Sequence, residues 1–321
     1  MNYSEDTLIE PKDKLIRFTQ EVVNCIRKEY NFQKKEDREH AISLIQGWAK
    51  SQDHLVKKDY SKGYIERCLI TCKYSIERTK KQIDTICTMR TLMPKYFQTT
   101  NLKGSDVEPF LSKFYIGFMP NLTEEYYRVV VIKVKPNAEF VHGESTILFK
   151  LLAVLAEYLK SNDCCQGFYL IGDCFDANAA EVLTKINLLE LQQFLPVITT
   201  GYGCKIKRIL LVTASKFIET FIKLVKPMFS EKVGSRIHAV SSRKKILDYV
   251  STDCLPADFN GKDKPLEELH DALFESVTSP AVQALLEEMN KATTDESRRN
   301  IDKFNDQYMG MPGTFRTLSL D

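Results

Sequence analysis

The sequence predicts an α/β protein in which a helical N-terminal bundle precedes a mostly parallel sheet with helical crossovers. Three observations carry this prediction. Up to about residue 98, apolar residues recur at three- and four-residue spacing, the period of an amphipathic helix. From Arg128 onward, short β-branched runs alternate with longer apolar segments, the pattern of β–α–β units. Hydrophobic residues at 43% and charged residues at 27% over 321 residues fit a chain that buries a core, and exclude disorder for its bulk.

In the first part, Leu15, Phe18, Val22, Cys25 and Ile26 form one apolar stripe. Ala41, Ile42, Leu44, Ile45, Trp48 and Ala49 mark a second helix. Ser61 is placed to cap a third, with Tyr64, Ile65, Cys68, Leu69 and Cys72 facing inward; Ser75 begins a fourth, whose end Pro94 follows. Thr99 to Pro109 reads as a linker. The run from Arg128 to Lys135 is β-branched and short, a strand buried on at least one face. From Gly143 to Leu159 the chain is apolar around much of a helix's girth, so that helix should be largely buried. Gly167 to Asp173 follows as a second strand, Leu183 to Thr200 as a helix, Arg208 to Thr213 as a third strand. Ser215 to Phe229 is then a helix and Arg236 to Val240 a short fourth strand, and Ser242 caps a further helix. Beyond Gly261 comes a polar extension with two weak helical segments. The expected division is a helical domain over 1–100, an α/β domain over 101–261, and an extension over 262–321 packing on the second.

A formal net charge of +2 creates no global basic field, so no nucleic-acid partner is expected and any anion site is a local patch. The nine cysteines show no CxxC pair and no histidine partners at zinc spacing, which points to a reducing, cytoplasmic compartment. Met1 to Lys14 is too polar for a signal peptide, and no run approaches the ~18 apolar residues of a membrane span. A hydrolase elbow, G-x-S-x-G, does not occur. Gly201-Tyr-Gly203 precedes a strand, the wrong context for a phosphate loop. The five histidines are scattered, and Asp173 and Asp176 suit turn formation and helix capping. No catalytic residue, metal or cofactor is expected.

Two features rise above this background. Phe217, Ile218, Phe221, Ile222, Leu224, Val225, Met228 and Phe229 give one helix an apolar face wider than a surface helix needs. It is either a well-buried core helix or a mobile lid over an apolar cavity, with Pro227 weakening its last turn. Cations flank it: Lys205, Lys207 and Arg208 on one side, Lys232 and Arg236 on the other. Strand alternation places Lys205 and Lys207 on one face and Ile206 on the other. The set is either a solvated face or a cradle for a phosphorylated head group.

The stretch from Gly167 to Gly261, with GFYLIGDCF, KIKRILLVTAS, the apolar helix, RIHAV and LPADFNG, resembles the CRAL-TRIO lipid-transfer family. Tyr64-IERCLITCKYS and the helix Phe149-KLLAVLAE extend the resemblance upstream, and the terminal Gly313-TFRTLSLD is like the ending of relatives with a similar tail. The resemblance implies an apolar cavity under a helical gate, holding one small hydrophobic lipid of the tocopherol, retinoid or similar isoprenoid type. It places Phe149, Leu152, Ala153, Ala156, Val197, Tyr202, Ile209, Leu211, Phe217, Phe221 and Val225 at the lipid, and Lys205, Lys207, Lys232 and Arg236 at a phosphoinositide head group. It further implies a monomer that meets membrane surfaces transiently, carrying lipid between them without catalysis. The competing classes are a lipid-modifying enzyme and an interaction scaffold with a vestigial cavity. Three positions depart from the family pattern. Cys72 stands where the family has a head-group arginine, Thr213-Ala214-Ser215 replaces Asn-x-Pro at the gate, and Asn260 replaces a glycine.

Overall fold

The computed structural model describes residues 15–299. The ending Gly313 to Asp321 lies outside the described residues. Four helices build the first domain: α1 (Gln20–Glu29), α2 (Lys35–Ser51), α3 (Lys62–Thr71) and α4 (Ile76–Leu92). Thr19, Ser61 and Ser75 cap α1, α3 and α4, each side-chain oxygen accepting from a backbone N–H of the first turn. The bundle closes on a buried carboxylate. Glu66 accepts two bonds from Arg27, at 2.8 and 3.1 Å, and one from the Tyr74 hydroxyl at 2.9 Å. Lys73 and Tyr74 end α3 with φ of 56° and 55°, a left-handed turn that costs non-glycine residues and is held here by the Tyr74–Glu66 bond.

The expected linker, Thr99 to Pro109, runs into a short helix, α5 (Val107–Leu111), and a strand, β1 (Phe114–Leu122), follows it; the sequence reading anticipates neither. β1 pairs antiparallel with β2 (Tyr127–Val134). Three parallel strands follow: β3 (Gly167–Asp173), β4 (Ile206–Val212) and β5 (Ile237–Val240), in the order β1-β2-β3-β4-β5. Each parallel step needs a crossover. The first is α6 (Ser145–Asn162); the second is α7 (Ala179–Thr184) and α8 (Leu188–Pro196), ending in a π turn at Val197–Gly201; the third is α9 (Phe217–Val225) and α10 (Glu231–Gly234). The single helix expected over Leu183 to Thr200 is thus broken. Ser242 makes no side-chain cap, and the helix expected after it is a 3₁₀ turn over Arg243–Asp248. Asn260 takes the left-handed conformation, φ 61°, at the family's glycine position. The helices α11 (Leu266–Val277) and α12 (Pro280–Asn290) complete the fold, α11 lying against β1 and α12 against α6.

Two links tie the parts together. Arg128, fully buried in β2, places Nε and Nη2 each 2.8 Å from the Asp163 carboxylate at the end of α6. After α12 the chain returns to the first domain. Val56 N–H donates to Thr293 O, Asp295 N–H donates to His54 O, and Arg299 donates to both Asp84 oxygens at 3.0 Å.

Candidate functional site

The two faces of the sheet differ in how they are covered. On one, Val129, Val131, Tyr169, Ile171, Leu210, Val212 and Val240 form a sealed cluster with Ile246, Leu255, Phe259 and α11. On the other, two rows run across the strands: Val130, Leu170, Ile209 and Ile237, then Ile132, Gly172, Leu211 and Ala239. Leu170, Ile209, Ile132, Gly172 and Leu211 are only half-buried. The contrast is clearest in β3, where burial alternates residue by residue although both sides are apolar. Gly172 has no side chain, so the second row dips in its middle; an added Cβ would lie 3.2 Å from Leu211 Cδ2.

Two separate clusters flank this half-buried floor. One holds α6 with Val130, packed by Ile132, Leu148, Leu152, Phe168, Leu170, Leu191 and Ile198. The other holds α7 and α9, packed by Ile209, Leu211, Phe217 and Met228. Leu191 and Cys174 touch both. An apolar seam therefore runs between α6 and α9 with the sheet beneath it. A 3₁₀ turn with Pro227 ends α9, and its Leu224 is 53% exposed. The helix is amphipathic in an unusual sense, since apolar residues face both the sheet and the outside.

The residues placed by resemblance divide between the seam and the packed interior. Leu152, Ile209, Leu211 and Phe217 are half-buried along the seam. Phe149 is 1% exposed, stacked on Phe194 at 4.7 Å with the Tyr96 edge 6.1 Å away. Ala153, Ala156 and Val197 are buried in the same cluster. Tyr202 is locked in place by the buried Arg90–Glu157 pair, its hydroxyl 3.5 Å from Arg90 Nη2. Phe221 and Val225 pack with α7 and Ile237. These side chains are engaged by protein because Tyr96, Phe194 and Arg90 arrive from distant parts of the chain. Sequence reasoning missed Ile132, Leu148, Phe168, Leu170, Leu191 and Ile198. The available signal was that β2 and β3 are apolar on both faces, and that Leu148 lies one turn before Leu152.

The cations gather where β4 begins. A register shift at Phe168/Tyr169 leaves Lys207 opposite no partner, so the expected alternation is broken. Lys205 reaches the helical domain, its Nζ 3.5 Å from Ile70 O and 5.7 Å from the Tyr30 ring. Lys207 lies 5.3 Å over the Tyr127 ring and 3.6 Å from Glu125. Arg236 donates to Ile206 O at 2.6 Å, and Lys232 is exposed on α10. Arg208 turns away to the sealed face, between Tyr169 and Tyr249. Burial, with the neighbouring Lys73 charge, holds the Lys205 ammonium down to about 8. At the Cys72 position the thiol lies 3.5 Å from Gln82 Oε1. The exposed Lys73 is the cation beside Lys205, next to the position where a head-group arginine was expected.

The Cys174 and Cys204 thiols are not prepared for reaction. All nine cysteines are free, and burial pushes the Cys174 and Cys204 thiols up to about 12. Among the described residues, no group of three His, Cys, Asp or Glu could hold a metal ion, and no helix is long and apolar enough to cross a membrane.

Two family models match the chain. One, described as "Pinta-like, UBA domain", covers residues 34–107, which include α2 to α4. The other, described as "CRAL/TRIO domain", covers residues 113–261. Among solved structures, the crystal structure of Sfh5 is similar at 10% identity and a TM-score of 0.44, over 79% of this chain and 93% of that chain. No curated relative matches the chain. The CRAL/TRIO match spans the whole sheet, the seam and α9, and through it residues 113–261 are a CRAL/TRIO domain, of a family of lipid-binding and lipid-transfer proteins.

Proposed function

We propose that this chain is a cytoplasmic, peripherally membrane-associated carrier that holds one small hydrophobic lipid of tocopherol, retinoid or similar isoprenoid type and moves it between membranes. The observation that carries the proposal is the asymmetry of the sheet: one apolar face is sealed by protein, the other half-buried beneath α9. Such a face is served by an apolar ligand. At ~25 cal/mol per Å2, a lipid burying a few hundred Å2 gains several kcal/mol on leaving water, before the cost of ordering it. In this reading α9 is the gate, with Pro227 at its hinge, and Leu224 is the side chain it offers to a bilayer.

Lys205, Lys207, Lys232 and Arg236 are the proposed contacts for a phosphoinositide head group, with Lys73 serving where Cys72 replaces the family's arginine. A head group that binds the open state better shifts the gate toward opening. No covalent step is required, and the raised thiols support a carrier over an enzyme. A second reading, a scaffold with a vestigial cavity, draws support from the tight packing of Phe149 and Phe221. Native mass spectrometry of the purified chain, followed by solvent extraction, separates the two. One stoichiometric lipid supports carriage. An apo mass together with failure to take up retinoid, tocopherol and phospholipid probes overturns it.

A further inference from the structure

The seam between α6 and α9 holds little that can hydrogen-bond. The two rows of the sheet beneath it carry aliphatic residues and one glycine from β2 to β5. Its walls are Leu148 and Leu152 of α6, Leu191 and Ile198 of the second crossover, and Phe217 of α9. Cys174, which touches both flanking clusters, adds a thiol, a weak donor. Burial and the neighbouring Asp173 push that thiol up to about 12, so it stays protonated.

The polar side chains around the seam are already engaged. On α6, Thr146 donates to Glu190 at 2.7 Å and Glu157 accepts from Arg90. Lys160, on the same helix, donates to Thr71 Oγ1 at 2.8 Å and to Tyr202 O at 3.3 Å. In the π turn, Thr199 donates to Leu195 O at 2.9 Å. Arg128 in β2 is committed to Asp163. Thr213, just past β4 and buried, accepts from Ser215 N–H at 3.1 Å. Gln193 lies about 200° around α8 from Leu191, so it leaves the helix on the side away from that wall.

These commitments decide what the seam accepts. In a bilayer, a lipid alcohol keeps its hydroxyl at the hydrated surface. Moved into the seam, that hydroxyl loses its water and finds only a weak thiol among the described residues, and a buried polar group left unpaired is costly. A hydrocarbon of the same skeleton has no such loss. The difference amounts to roughly tenfold to a hundredfold in affinity. We infer that the seam selects isoprenoids that carry no free hydroxyl. The inference rests on the carrier reading above and narrows it: terpene and polyene hydrocarbons are favoured over retinol and tocopherol.

The test loads the full chain from phosphatidylcholine vesicles holding equal amounts of phytol and phytene, which differ by one hydroxyl. The protein is reisolated and its stoichiometry read by native mass spectrometry. The bound lipids are then extracted and quantified by gas chromatography. One lipid per chain is expected, with phytene enriched over phytol at least fivefold relative to the vesicles. Leu152→Asn is nearly isosteric and sets an amide in the wall, so it should lower that ratio at least threefold. If circular dichroism shows that variant unfolded, Ile132→Thr takes its place, with the same fall expected. A smaller enrichment, or an excess of phytol, overturns the inference and leaves carriage standing. A smaller fall in a folded variant also overturns it, because the selection then arises outside the seam. Uptake of neither lipid overturns it as well, and the retinoid, tocopherol and phospholipid probes then decide carriage separately.

Discussion

Arg128→Met tests the packing argument at a single atom group. The substitution keeps the length and apolar stem of the side chain and removes the guanidinium. Asp163, whose side chain is 3% exposed, then loses both charge-assisted bonds. The carbonyls of Met119, Pro120 and Arg17 lose a donor as well. Breaking a buried ion pair from one side costs about 3–5 kcal/mol, because the surviving charge stays buried. Whole domains hold only about 5–15 kcal/mol, so the variant should be folded but marginal. Urea unfolding at pH 7, followed by circular dichroism, gives the loss as a lower midpoint at unchanged slope. Arg128→Met/Asp163→Leu should recover most of that loss, since an apolar pair of similar volume is often as stable as a buried ion pair. A single-variant loss under about 1 kcal/mol, or a double variant as unstable as the sum of its parts, would refute the reasoning.

Further predictions concern the floor, the cations and one turn. Gly172→Val fills the dip in the half-buried row, and lipid recovered by extraction should fall at least tenfold while the urea midpoint changes little; full recovery would remove Gly172 from the cavity. Lys205 is charged below about 8 and neutral above it, so binding to phosphoinositide vesicles should weaken from pH 7 to pH 9, and Lys205→Arg should flatten that profile. The same group links pH to stability. Between its folded value of about 8 and the unfolded lysine value of about 10.4 the unfolded chain holds the extra proton, so Lys205 contributes rising stability as pH rises through that window. Lys232→Glu/Arg236→Glu should leave lipid affinity intact and slow transfer to phosphoinositide vesicles; equal rates would remove the patch from the mechanism. Gly261→Ala would bring a Cβ within 1.9 Å of Leu255 O, and a loss of about 1–3 kcal/mol or more in urea unfolding is expected.

Local pattern made much of this fold legible. The caps at Ser61 and Ser75, the helix α6 and the strands β2 to β5 each announce themselves within a few residues. β1 does not, because Gly117, Pro120 and Asn121 read as turn residues. Pairing with β2 overrides them, and the register shift between Phe118 and Leu122 accommodates Pro120. The segment after Ser242 shows the opposite failure, a helical pattern tightened into 3₁₀ turns over the sealed face. Glu66 and Arg128 look like surface charges in the sequence and are fully buried, since their partners lie 39 and 35 residues away. The candidate site was legible as a region rather than as a wall. Periodicity nominates Phe149 and Leu152 alike, and only the arrival of Tyr96 and Phe194 decides that Phe149 is plugged while Leu152 remains at the seam.

The return of residues 293–299 to the helical domain sets a clock on biosynthesis. Thr91 and Thr294 are joined side chain to backbone across 203 residues of chain. At about 5–20 residues per second, a ribosome needs on the order of 10–40 s to span that interval. During it, the N-terminal helices emerge with their own core available but without the segment that later covers Leu55 and neutralises Asp84. The long sequence separation also makes this contact entropically late, whatever the speed of the helices themselves. The closure of this segment on α4 is therefore late, coming after contacts such as Arg90–Glu157 have already brought the helical bundle against α6.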